Sequence, residues 1–96
     1  MAEKTLFQKI ADHEIPAQMV HEDELCVAFR DVNPQAPVHI LVIPRKPISG
    51  VASADESDKA VLGHLLLTAA EVARREGLGD GYRLVINQGA HGGQTV

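Results

Sequence analysis

Apolar residues recur along this chain at three spacings, and each spacing predicts a kind of element. Over residues 3–12 (EKTLFQKIAD), Leu6, Phe7, Ile10 and Ala11 share one face at helical spacing, predicting a short amphipathic helix. Ile15-Pro16 ends it, because a residue before proline is pushed out of the helical region. In MVHEDELCVAFRD (19–31) two apolar runs flank the acidic Glu22-Asp23-Glu24, predicting strands at 18–21 and 25–30 joined by a turn. The connector NPQAP (33–37) carries two prolines, which fix φ and withhold two donors. It feeds VHILVIP (38–44), whose nearly unbroken apolar run predicts a strand covered on both faces.

A second helical stretch is longer. Val61, Leu62, Leu65, Leu66, Ala69, Ala70 and Ala73 form a stripe over 57–76. Ser53 and Glu56 have capping-box spacing ahead of it, Arg74-Arg75 suit its C-terminal dipole, and Gly77 suits a left-handed stop. Gly81 to Asn87 predicts a last strand, followed by a Gly-rich end. The order helix, strand, strand, strand, helix, strand predicts a single α+β domain over 1–96 with a mainly antiparallel sheet.

Composition narrows the function classes. With 45% hydrophobic and 23% charged residues, the chain has the make-up of a soluble globular protein. A net charge of −4 argues against nucleic-acid binding, which needs a dense basic patch. The basic pairs Arg45-Lys46 and Arg74-Arg75 read as a solvated turn and a helix face. One cysteine, Cys26, excludes an intramolecular disulfide and reads as a buried structural thiol suited to a reducing cytoplasm. No secretory signal and no membrane span are expected.

Three places could carry chemistry. Gly89, Gly92 and Gly93 allow positive φ, so NQGAHGGQTV (87–96) is either an anion-binding nest with Gln94 and Thr95 beside it or a hairpin turn. His39 lies in an apolar strand and is either a hydrogen-bonded core residue or part of a site. Asp31 either closes an Asx turn before Asn33-Pro34 or presents a carboxylate to a ligand hydroxyl. His13, His21, His64 and His91 show no metal spacing, and neither a metal nor a cofactor is expected. Walker, dinucleotide-binding and nucleophile-elbow motifs are absent from these residues.

Taken together, DVNPQAPVHILVIPRKPI (31–48), the helix VLGHLLLTAAEVARREGL (61–78) and YRLVINQGAHGGQTV (82–96) resemble the histidine triad family, in its purine-nucleotide-binding branch. The resemblance implies that family's fold and a site for a purine nucleoside monophosphate resembling AMP. In it Asp31 accepts from the ribose hydroxyls. Val32, with Leu6, Phe7, Ile10 and Phe29, encloses the purine, while Asn87, Gly93, Gln94 and Thr95 surround the α-phosphate. His39 matches a histidine beside the catalytic ones. The family hydrolyses nucleoside 5′-phosphoramidates through a nucleotidyl-histidine, using a His-x-His-x-His strand that begins beyond the Gly-Gly-Gln-Thr-Val motif. Residues 1–96 contain no such segment, so no catalytic histidine is expected among them. The expectation is a C-terminally truncated domain with an unpaired sheet edge, poorly stable alone. The resemblance also implies a homodimer through helix 57–76 and strand 82–87. A non-catalytic nucleotide-binding module and an inactive fragment are the alternatives.

Overall fold

The computed structural model describes residues 5–92. They divide into two compact units, the first ending at Lys46 and the second beginning at Pro47.

In the first unit, helix α1 (Leu6–Ala11) starts at a capping box: Thr5 accepts from the Gln8 amide, and the Gln8 side chain accepts from the Thr5 amide. Those reciprocal bonds satisfy two of the donors that every helix start exposes, so this short helix is well begun. Strands β1 (Met19–Glu22), β2 (Cys26–Arg30) and β3 (Ile40–Pro44) form an antiparallel sheet in the order β1-β2-β3. Alternation along β2 and β3 sends Val27, Phe29, Leu41 and Ile43 to one face, where Ile10, Ala11 and Phe7 of α1 pack on them. The Phe7 and Phe29 rings meet tilted by 53° with centroids 6.2 Å apart, a favourable aromatic geometry.

Cys26 and Ala28 point to the other face and are also fully buried. The strand covered on both faces is therefore β2. In β3, for which the apolar run predicted that environment, Ile43 alone is buried. Position explains the difference: β2 lies between two neighbours, while β3 is at an edge. Arg45, read from the sequence as a solvated turn, instead clips the unit together. Its Nε donates to the Asp23 carbonyl at 2.7 Å, and a terminal guanidinium nitrogen donates to the Ala11 carbonyl at 3.0 Å.

The ladder between β1 and β2 contains a bulge. Met19 opposes Phe29, but His21 opposes Ala28 and Glu22 opposes Val27, so one extra residue sits on β1 between Met19 and His21. Strict alternation would put His21 on the same face as Met19. The bulge moves it to the face of Cys26 and Ala28.

In the second unit, short 3₁₀ turns at Val51–Ser53 and Glu56–Asp58 lead into helix α2 (Lys59–Arg75). The cap is not Ser53, whose hydroxyl is engaged by the Gly50 carbonyl and by Ser49. Asp55 instead caps the 3₁₀ turn Glu56–Asp58 that precedes α2: it accepts from the Ser57 amide while Asp58 accepts from the Asp55 amide. Thr68, Val72 and Ala73 are the buried residues of α2, and Leu66 of the expected stripe is half exposed. At the far end Gly77 is left-handed (φ 76°), with the Gly77 amide on the Arg74 carbonyl and the Leu78 amide on the Ala73 carbonyl, the double closure of a Schellman cap.

The strand expected over 82–87 is not present. The segment is irregular, exposed and paired with no strand among the described residues. A strand exists only through hydrogen bonds to a neighbour, so an apolar, β-prone sequence without one stays an exposed single run.

Candidate functional site

Asp31 follows directly on β2, and His39 directly precedes β3. The pairing of Arg30 with Ile40 extends one step further, and the Asp31 amide donates to the His39 carbonyl at 2.9 Å. The two side chains are thus cross-strand neighbours, with His39 Nε2 3.4 Å from Asp31 Oδ2. The intervening NPQAP turn folds back on both. The Asn33 amide donates to Asp31 Oδ1 at 2.9 Å, and the Gln35 amide donates to His39 Nδ1 at 2.9 Å. Because Nδ1 accepts, a neutral His39 carries its proton on Nε2, the nitrogen that faces the carboxylate.

These bonds give each residue its local structural role. Asp31 does close an Asx turn, and His39 is a hydrogen-bonded, partly buried residue. Neither role uses up the group. A carboxylate offers about four acceptor sites, and Asp31 lies at a groove of about 590 Å³ lined by Pro16, Ala17, Gln18, Arg30, Asp31 and Val32. The segment before β1 forms one wall because the Arg30 amide donates to the Gln18 carbonyl at 3.0 Å. The arrangement offers an oriented, partly exposed carboxylate beside an imidazole at the head of a wide groove. Such a group suits a ligand that donates hydrogen bonds, such as a pair of adjacent hydroxyls.

The remaining expected residues are distributed unevenly. Val32 is 94% exposed at the groove. Ile10 and Phe29 are buried in the core with Phe7 against them, while Leu6 is half exposed on α1. Asn87 belongs to the second unit and is exposed. Of the Gly-rich end, Gly89 has the left-handed backbone (φ 70°) that its glycine anticipates, and a 3₁₀ turn spans Ala90–Gly92. Just before it, Gln88 Oε1 accepts from the Ala52 amide at 2.9 Å, and a Cβ at Gly50 would come within 2.4 Å of that oxygen. Glycine at position 50 is what lets the Gln88 amide close on this turn. Gly93, Gln94 and Thr95 lie outside the described residues.

Pro16, Ala17, Gln18 and Arg30 were missed from the sequence, where Ile15-Pro16 registers only as a helix stop. Also missed was a group of three potential metal ligands, His21, Asp23 and Cys26, whose donor atoms lie within 4.8 Å of one another.

Comparison with known proteins identifies the family. The HIT domain family model matches residues 12–96. An uncharacterized HIT-like protein of Synechocystis is 62% identical over 96 residues, spanning all of this chain and 84% of its own length. A 14 kDa zinc-binding protein of maize is 53% identical over 94 residues, covering 96% of this chain and 73% of that protein. Among solved structures, a HIT family hydrolase from Legionella pneumophila superposes with a TM-score of 0.94 at 47% identity, covering 97% of this chain and 84% of the other. Matched over most of its length by the family model and by relatives more than half identical, this chain belongs to the HIT domain family.

Proposed function

We propose that the chain binds a purine nucleoside monophosphate, with Asp31 taking the two ribose hydroxyls and the Gly-rich end taking the phosphate. The observation that carries the reading is the Asp31 carboxylate, held by the Asn33 amide and the cross-strand His39 at the edge of the groove. Val32 and the groove wall at Pro16 and Ala17 supply apolar surface for a base. Asn87, Gly93, Gln94 and Thr95 complete the proposal on the phosphate side.

The reaction we propose for the complete family protein is hydrolysis of nucleoside 5′-phosphoramidates. A histidine nitrogen attacks the α-phosphorus, the P–N bond breaks, and the departing amine takes up a proton. Water then releases the nucleotide from the histidine. The attacking histidine would come from the His-x-His-x-His segment that follows Gly-Gly-Gln-Thr-Val in the family, so residues 1–96 are assigned binding and orientation.

Thermal melts with AMP test the binding. At a hundredfold excess over Kd the nucleotide should add about 2.7 kcal/mol. Replacing Asp31 with Ala should weaken binding by about 1.5–3 kcal/mol, the scale of charge-assisted hydrogen bonds. No stabilisation by AMP, or equal affinity in D31A, would refute the reading.

We also propose that two copies associate through α2 and the segment 82–87. Leu67 is 74% exposed, and Val85 and Ile86 are each 65% exposed, an unusual amount of apolar surface for so small a protein.

A further inference from the structure

The tight turn between β1 and β2 brings three chemistry-bearing side chains together. From His21 onward the register carries Asp23 to a position opposite Cys26, and the Asp23 amide donates to the Cys26 carbonyl at 2.9 Å. His21 and Asp23 are two residues apart on one side of the hairpin, and Cys26 is the cross-strand partner of Asp23. All three side chains therefore leave the same face. His21 Nε2 is 2.7 Å from Asp23 Oδ2, and Cys26 Sγ is 3.6 Å from the same oxygen. Asp23 Oδ1 is held by the Leu25 and Cys26 amides at 2.8 and 2.9 Å, which fixes the carboxylate with Oδ2 toward the imidazole and the thiol.

We propose that His21, Asp23 and Cys26 form a binding site for a divalent transition-metal ion of the zinc type. The donor set, one imidazole, one carboxylate and one thiol, matches the borderline-soft preference of Zn²⁺ and Co²⁺ and does not suit Mg²⁺ or Ca²⁺. Ligand atoms around a tetrahedral zinc lie roughly 3.2–3.8 Å apart, as its bond lengths require. The three donors, all within 4.8 Å of one another, reach that spacing by small side-chain rotations. A dication held by one thiolate and one carboxylate leaves no net charge, which suits a site whose thiol is fully buried. His21 and Asp23 side chains are 22% and 28% exposed, so an ion can enter from the rim, and a tetrahedral ion would take its fourth ligand from water or an exogenous group. The site uses neither Asp31 nor His39 and stands independently of the nucleotide reading.

The test is titration of the metal-free chain with Co²⁺ and then Zn²⁺, at neutral pH and under reducing conditions. Cys26 is the only cysteine, so any near-ultraviolet cobalt–thiolate band belongs to it. We expect that band to saturate at one ion per chain and to vanish on adding Zn²⁺. Cys26→Ser should abolish it, and His21→Ala and Asp23→Asn should each weaken Zn²⁺ binding by roughly tenfold or more. Asn at position 23 retains an oxygen for the two amides, so D23N separates ligation from turn formation, and circular dichroism checks the fold of each variant. Should C26S fail to fold, H21A at the rim decides. Absence of the cobalt band, or unchanged Zn²⁺ affinity in H21A and D23N, overturns the proposal.

Discussion

Arg45 shows how much one side chain can organise. Its guanidinium reaches the Asp23 carbonyl in the hairpin turn and the Ala11 carbonyl at the end of α1, with Glu22 3.8 Å away. Two backbone acceptors from separate elements are satisfied by one planar fork. Arg45→Ala should destabilise the protein by about 2 kcal/mol, in the range for hydrogen bonds involving a charged group. Arg45→Lys should recover little, since an ammonium lacks the fork geometry. Urea unfolding monitored by circular dichroism measures both. Asp31 and His39 act on the same scale. Each is oriented by one amide of the NPQAP turn, so the turn residues set the site as much as the two side chains do.

At the scale of elements, the ends decide where helices stop. Gly77 takes the left-handed conformation, and the two closing hydrogen bonds of α2 depend on it. No atom stands within 4 Å of a Cβ built there, so Gly77→Ala meets a backbone penalty and no clash. We expect a loss of about 1 kcal/mol, read as a lower urea midpoint at an unchanged m-value. For the hairpin the bulge separates the faces of Met19 and His21, while the register on its turn side keeps His21 opposite Ala28. Deleting Val20 would make the ladder regular and leave His21 opposite Ala28, still on the face of Asp23 and Cys26.

Across the whole molecule the unresolved tension is exposed apolar surface. Leu66 and Leu67 on α2, and Leu84, Val85 and Ile86 beyond it, are all half exposed or more. Association of two copies would cover such residues, and a ladder partner for 82–87 would satisfy its backbone. Sedimentation equilibrium should therefore give twice the 10.3 kDa chain mass. Ile86→Lys should shift the protein to monomer without a change in helical content. A wild-type monomer at micromolar concentration would contradict the dimer. No helix among the described residues is long and apolar enough to cross a membrane.

Local order was legible in the sequence wherever it rests on near neighbours. The α+β class, the positions of both helices and three strands to within a few residues, the Gly77 stop and the buried Cys26 all follow from periodicity, caps and composition, which act over a few residues. The motifs around Asp31 and the Gly-rich end likewise identified the family. What the sequence did not reveal depends on partners distant along the chain. Whether 82–87 becomes a strand turns on a hydrogen-bonding neighbour. That β2, rather than β3, is covered on both faces follows from strand order. Arg45 became a clip because folding brought a carbonyl 34 residues away within reach. The grouping of His21 with Asp23 and Cys26 depends on the cross-strand register, which sets Asp23 opposite Cys26 and His21 opposite Ala28 and is decided by backbone pairing. Spacing alone determines which residues can share a face, and the ladder of backbone hydrogen bonds decides which of them do.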